Sequence, residues 1–185
     1  MALLKKDIPN ILTVTRIILI PILIATFYMS GKLSNYIAVA IFIFASITDY
    51  VDGLLARRFD AYSNFGRMLD PIADKMLVAT ALMLLVHFDR APILPALAIL
   101  CREILISGLR EYLAEIKVTV PVGQLAKFKT GIQMFAITLL LLYDREFKVL
   151  YYTGAGALWI AALLTLVTGY AYFKEGMKHI DNIGP

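Results

Sequence analysis

The chain has 185 residues, 60% of them hydrophobic, with a mean hydropathy of +0.76 and a formal net charge of +4. Soluble domains are about half apolar, so the composition excludes an ordinary soluble globule and predicts an all-α integral membrane protein, one domain over residues 1–185. The charge is too mild for nucleic acid as a partner, and the lone Cys101 excludes an intrachain disulfide, leaving a buried or lipid-facing thiol.

A helix crossing the hydrocarbon core needs about 20 mostly apolar residues. Six segments qualify in chain order. The first runs from Ile11 to Met29 and closes at SGKLSN. Lys5 and Lys6 precede it as in a signal peptide, but Arg16 interrupts the apolar run and no small-x-small site follows, so a retained span is expected. The short ALLKKDIPN ahead of it suits a brief interfacial helix. The second span covers about Tyr36 to Leu55, the third Gly66 or Arg67 to Phe88, and the fourth Pro92, a good first-turn residue, to Ile116. The fifth covers Val122 to Tyr143 and the sixth Leu150 to Phe173.

Six spans put both termini on one side. The loops on that side, with the residues just inside them, carry Lys5, Lys6, Arg57, Arg58, Arg67, Lys117, Lys127, Lys129, Lys174 and Lys178; the opposite loops carry Lys32, Arg90, Arg145 and Lys148. The more basic side is the cytoplasmic one.

The cytoplasmic ends of spans two and three hold DYVDGLLARRFDAYSNFGRMLDPIAD, Asp49 to Asp74. At 100° per residue, Asp49 and Asp52 lie about 60° apart, with Gly53 and Ala56 close to the same line. Gly66, Asp70 and Asp74 recur every four residues and share a face of span three. Four clustered carboxylates raise one another's pKa, and the membrane edge adds a desolvation cost. A hard divalent cation resolves both, and all-oxygen ligands suit Mg²⁺, Mn²⁺ or Ca²⁺ rather than zinc. His87 sits at the opposite membrane face and His179 in the tail, so neither is expected to join them. Gly53, Ala56 and Gly66 leave room for a phosphorylated group to approach the backbone. Arg57 offers a fork matching phosphate oxygens, and Ser63 a hydroxyl. Asp60 and Arg58 read as ordinary boundary charges. A cation transporter would need carboxylates spread through the membrane depth, whereas these gather at one end.

The full pattern, Asp49-x2-Asp52-Gly53-x2-Ala56-Arg57, eight residues, Gly66-x3-Asp70-x3-Asp74, resembles the signature of the CDP-alcohol phosphotransferase family, with every motif position filled. The resemblance implies displacement of CMP from a CDP-linked molecule by an alcohol, with a divalent cofactor, Mg²⁺ or Mn²⁺, as two ions. By the same resemblance Asp49, Asp52, Asp70 and Asp74 hold metal, and Asp74 also serves as general base. Asp52, Gly53, Ala56, Arg57, Ser63 and Gly66 contact the CDP group. A homodimer in the bacterial cytoplasmic membrane, its site facing the cytoplasm, is implied too.

PNILTVTR, Pro9 to Arg16, together with the chain length, resembles the branch of the family that joins CDP-diacylglycerol to sn-glycerol 3-phosphate; phosphatidylglycerol, inositol phosphate and serine are the alternative acceptors. Asn10, Thr13 and Arg16 are spaced by three and can all face the bundle. An anionic acceptor needs further cations, and Lys75, Arg102, Arg110, Lys127 and Lys129 are the candidates. Arg102 lies deep in span four, where it either binds the acceptor or pairs with another span. Glu103, about 100° further round, is not the expected partner. Lys127, Lys129 and Arg110 read as acceptor ligands or as interfacial residues that snorkel. Tyr170, Tyr172 and Phe173 are expected as interfacial anchors.

Overall fold

The computed structural model describes the backbone of residues 2–59, 64–120, 124–144 and 146–181. Side chains are described for all of these except 2–10, 49–59, 64–68, 124, 126, 127 and 181. Six helices follow in order: α1 (Ala2–Phe27), α2 (Lys32–Phe59), α3 (Asn64–His87), α4 (Ile93–Glu115), α5 (Gln124–Leu142) and α6 (Lys148–Asp181). The architecture is all-α with six helices, as the hydropathy pattern predicts. Among the described residues α6 alone, over Lys148–Ile180, is long and apolar enough to cross a membrane by itself. Ile11–Phe27, Lys32–Thr48 and Phe128–Leu142 are apolar but shorter. Charged residues shorten the apolar runs: α4, for instance, carries Arg102, Glu103 and Arg110.

Two boundaries differ from expectation. The first residues form no separate helix, because α1 is continuous from Ala2; no glycine interrupts the run, so an established helix propagates back through it. At the other end, α6 extends through the expected tail to Asp181. Lys178 pairs with Glu175 at 3.0 Å, one turn away, and Gly176 lies against Leu109 and Leu113 of α4. Both contacts favour a helix beyond the apolar run.

The helices divide into two compact units, Met1–Arg90 with Leu141–Lys148, and Ala91–Leu140 with Val149–Pro185. In the first, α1 packs against both α2 and α3. Thr13 meets Asp70 near the start of α3, and Phe27 meets Phe88 just past its end, so α1 and α3 run parallel. The tight α1–α2 turn uses Gly31 at φ +105°, a conformation that a Cβ would strain. Helix α3 ends with Asp89 at φ 55° and a hydrogen bond from the Arg90 N–H to the Leu85 carbonyl at 2.7 Å, a Schellman closure that satisfies a terminal carbonyl. Leu23, Phe42, Leu77, Leu82 and Leu85 are fully enclosed in the core.

A polar latch closes the end of this unit that holds the α3 C-terminus. Arg90 Nη1 donates to Asn35 Oδ1 at 2.8 Å, and Asn35 Nδ2 donates to the Tyr143 carbonyl at 3.3 Å. The Arg90 guanidinium also stacks 5.4 Å from the Phe27 ring. Beside it, Lys32 bonds Glu146 at 2.5 Å and lies 3.7 Å from Asp144. The hydrogen bond and charge of Glu146, with Asp144 adding, raise the Lys32 pKa above the ordinary ammonium value.

In the second unit, Lys129 meets Thr165 and Leu140 lies against Gly154, so α5 and α6 are antiparallel. Arg102 abuts Gly169, and Leu109 and Leu113 abut Gly176, so α4 and α6 are parallel. Glycine is used here for close approach: a Cβ at Gly154 would stand 2.8 Å from Leu140 Cγ.

Candidate functional site

Asp70 and Asp74, four residues apart near the start of α3, share a helical face. Asp70 Oδ1 accepts the Thr13 hydroxyl, and Arg16 Nη2 lies 3.8 Å from the same oxygen. Thr13 is 1% exposed and Arg16 not at all, while the Asp70 side chain keeps 24% of its surface open. A buried charge persists only when paired, so the inward face of α1 explains why an arginine sits in an apolar helix. It also adds to the reading of Thr13 and Arg16: expected as acceptor ligands, they bear on a carboxylate of the motif as well, meeting its first oxygen from the protein interior. Asp74 and Lys75 are both half-buried on the following turn.

Helix α2 begins at the Arg90 latch and runs antiparallel to α3. Asp49 lies 17 residues from Lys32, and Asp70 lies 17 residues before His87, each a distance of about 25 Å along a helix. The backbone therefore places Asp49, Asp52, Gly53, Ala56 and Arg57 at the same end of the unit as Gly66, Asp70 and Asp74. The side chains of Asn10, Asp49, Asp52, Gly53, Ala56, Arg57 and Gly66, and the whole of Ser63, lie outside the described residues. Among the described residues no three His, Cys, Asp or Glu side chains converge on a metal position. The donor chemistry nonetheless fits a hard divalent cation: two partly open carboxylates on one face of α3, one of them already oriented, and two more carboxylates on the α2 stretch at the same end.

The second unit holds a charged cluster of its own. Glu103 Oε1 accepts from Arg102 Nη1 at 2.9 Å and from Lys129 Nζ at 2.5 Å. Lys129 Nζ donates further to Thr165 Oγ1 at 2.8 Å. Lys129 is 4% exposed and Thr165 is fully buried, about 25 Å along α6 from Lys148. Two expectations are corrected here. Glu103 does partner Arg102: adjacent side chains start about 100° apart on a helix, but both are long enough to turn toward a third group on α5. Lys129 does not snorkel, since its ammonium ends inside the unit. Arg110 is exposed and lies 5.7 Å from the Tyr172 ring, and that cation–π contact draws Tyr172 away from a purely interfacial role. The side chain of Lys127 lies outside the described residues, and Cys101 is exposed.

Glu103, Thr165 and Gly169 were not legible one at a time as neighbours of Arg102 and Lys129. The signal was joint: a carboxylate and two cations in neighbouring apolar helices seldom stay apart, because each unpaired charge there is costly.

Residues 6–167 match the family model described as CDP-alcohol phosphatidyltransferase. A Rickettsia felis protein named CDP-diacylglycerol–glycerol-3-phosphate 3-phosphatidyltransferase is 46% identical over 178 residues, covering 95% of this chain and 98% of its own. Proteins of the same name from Pseudomonas fluorescens and Bacillus subtilis are 42% identical over 183 residues and 39% identical over 185 residues. They cover 96% and 93% of this chain and 94% and 96% of their own lengths. With the motif complete on α2 and α3 and the match running through nearly all of the sequence, the chain belongs to the CDP-alcohol phosphatidyltransferase family.

Proposed function

We propose that the protein transfers the phosphatidyl group of CDP-diacylglycerol to sn-glycerol 3-phosphate, giving phosphatidylglycerophosphate and CMP. The observation that carries this reading is the near-full-length similarity to relatives named for that reaction, joined to a motif whose α3 half is held in place by α1. Asp49, Asp52, Asp70 and Asp74 hold two divalent cations, Mg²⁺ or Mn²⁺. When bound, such ions neutralise the pyrophosphate charge and stabilise the departing phosphate. Gly53, Ala56 and Gly66 admit the CDP group close to the backbone, and Asp52, Arg57 and Ser63 contact it.

The chain's own chemistry is then a single proton transfer coupled to displacement. Asp74 takes the proton of the acceptor hydroxyl. The resulting oxygen forms a bond to the phosphorus that carries the diacylglycerol. The bond from that phosphorus to the bridging oxygen breaks, and the oxygen leaves with CMP. Thr13 and Arg16 keep Asp70 oriented throughout. Asn10, Thr13, Arg16, Lys75, Arg102, Arg110, Lys127 and Lys129 are the candidates for receiving the phosphate of the acceptor. A lipid donor and a water-soluble acceptor meet at a membrane surface, so the six helices form one multi-pass domain in the bacterial cytoplasmic membrane, with the aspartates on the cytoplasmic side. The protein acts as a homodimer.

The test is CMP release from CDP-diacylglycerol by the purified protein in Mn²⁺ or Mg²⁺ with a panel of acceptors. Turnover with sn-glycerol 3-phosphate is expected. Turnover only with phosphatidylglycerol, inositol phosphate or serine would transfer the reading to that acceptor. Absence of metal-dependent CMP release with every alcohol would remove the enzyme reading altogether.

A further inference from the structure

Helix α3 keeps a proline in its interior, Pro71, between the two carboxylates of its site face. Proline is the poorest helix former. It has no N–H to give the Arg67 carbonyl one turn back, and its ring presses on that carbonyl. Asp70 is the residue before it and Asp74 the third after it, so the missing rung falls between the turns that carry them.

Those two turns are held by different parts of the first unit. Asp70 accepts the Thr13 hydroxyl and lies 3.8 Å from Arg16, both on α1. Asp74 stands between Ala73 and Leu77, which are 0% and 1% exposed in the core. The exposure of Pro71 itself marks where that core ends. At 100° per residue it lies within about 20° of Val78 and Leu82 around the helix. Those two are 8% and 0% exposed, whereas Pro71 is exposed. The inward face of α3 is therefore closed at Val78 and open at Pro71, on the level of the carboxylates. A ring exposed in this way fills no core space, which leaves its effect on the backbone as its contribution.

We propose that Pro71 is a positioning residue for the metal-binding carboxylates: by removing one rung of α3 it lets α1 set the turn of Asp70 while the core sets the turn of Asp74. The inference rests on the metal site proposed above. In a regular helix the N–H of residue 71 would bind the Arg67 carbonyl and draw the Asp70 turn into line with the rest of α3, against the hold of Thr13 and Arg16. With the rung absent, that turn follows α1, and the two carboxylates take their relative setting from the packing of the unit rather than from helix geometry alone. Helix stability is lost and ligand geometry gained, the trade common at functional sites.

Two replacements that differ by a single N–H test it in the full-length protein. Pro71→Ala supplies the N–H. The α-hydroxy analogue of alanine, introduced at position 71 by nonsense suppression, puts an ester oxygen there and supplies none. Without metal, Pro71→Ala should melt above wild type and above the hydroxy-acid variant, because the rung closes. Its affinity for Mn²⁺, titrated by calorimetry, should fall about tenfold or more, the scale seen when a group that orients a metal ligand is lost. The hydroxy-acid variant should bind Mn²⁺ as wild type does. Undiminished Mn²⁺ affinity in Pro71→Ala would show a proline that the helix merely tolerates, and an equal loss in both variants would assign the effect to the ring rather than to the rung. Either result overturns the proposal, as does a Pro71→Ala melting temperature no higher than that of the hydroxy-acid variant. If Pro71→Ala does not fold, Pro71→Gly carries the same N–H and its Mn²⁺ affinity decides. Wild-type protein that binds no Mn²⁺ would instead remove the metal site, before any variant is measured.

Discussion

Thr13→Val is the sharpest probe of the carboxylate site, because it deletes one hydroxyl and preserves side-chain shape. Thr13 donates to Asp70 Oδ1 from a position 1% exposed, and Arg16 reaches the same oxygen only at 3.8 Å. The hydroxyl is therefore the closer of the two contacts that fix the carboxylate's rotation. Both residues are β-branched and of similar helix propensity, so α1 itself should be little affected. A hydrogen bond to a charged acceptor is worth about 1.5–3 kcal/mol, and loss of a partner that orients a metal ligand typically weakens metal binding by about 10–100-fold. The two scales agree, since about 1.4 kcal/mol is a factor of ten. Titration of Mn²⁺ into purified protein, followed by calorimetry, should show that weakening, with the concentration of Mn²⁺ needed for half-maximal CMP release moving by the same factor. Thr13→Ser, which keeps the donor, should bind nearly as wild type. Equal Mn²⁺ affinity in wild type and Thr13→Val would refute the claim that this hydroxyl prepares Asp70 for metal. Absence of Mn²⁺ binding by the wild type would refute the metal site itself.

Other substitutions test separate parts of the structure. Asp74→Asn should abolish CMP release, at least about a hundredfold on the scale of general-base catalysis, with the melting temperature held; an active variant would end its role as base. Asn35→Ala removes the link between Arg90 and the Tyr143 carbonyl and should cost about 1–3 kcal/mol, read as a lower melting temperature in detergent with KM values unchanged. Gly154→Val forces a branched side chain against Leu140 and should destabilise by about 1–3 kcal/mol through overpacking, read the same way. Lys32→Met should lower the melting temperature slightly at neutral pH. Because the Lys32 pKa is raised in the folded protein, that contribution is complete below the ordinary lysine value and disappears as pH climbs through the raised one. The gap between variant and wild type should therefore close only in strong alkali, and a gap that closes near neutral pH would contradict the pairing with Glu146.

The parts of the fold that were legible are those set by local periodicity. Six apolar segments became six helices, and the four-residue spacing of Asp70 and Asp74 placed them on one face of α3 without any tertiary information. The boundaries that moved depended on contacts between helices. Nothing local marks Gly176 as a packing site, yet its contact with Leu109 and Leu113 carries α6 on to Asp181. The site was legible to the same extent. Thr13 and Arg16 were correctly placed on the inward face of α1, but their partner sits 57 residues on from Thr13, and only the parallel pairing of α1 with α3 shows it. Glu103 was set aside because a helical wheel places it about 100° from Arg102. A wheel describes where side chains begin, and these two are long enough to end at the same place once Lys129 of α5 supplies a common target.

Each unit thus carries a group of charged residues among apolar helices. In the first, the motif supplies four carboxylates at one end, and Arg16 Nη2 lies 3.8 Å from Asp70 Oδ1. In the second, one carboxylate serves two buried cations. Packing alone would select against both arrangements, because a well-packed apolar substitute is often as stable as a buried ion pair. Under the proposed function, divalent cations at the carboxylates account for the presence of the first group in a chain this apolar. A protein that binds its ligands only when folded should be most stable when loaded. Mn²⁺ and glycerol 3-phosphate, added separately, should each raise the melting temperature, by an amount that grows with the logarithm of concentration above its Kd. Thr13→Val should weaken the Mn²⁺ response and leave the glycerol 3-phosphate response in place; an undiminished Mn²⁺ response in that variant would show that the Thr13 hydroxyl does not prepare Asp70 for metal.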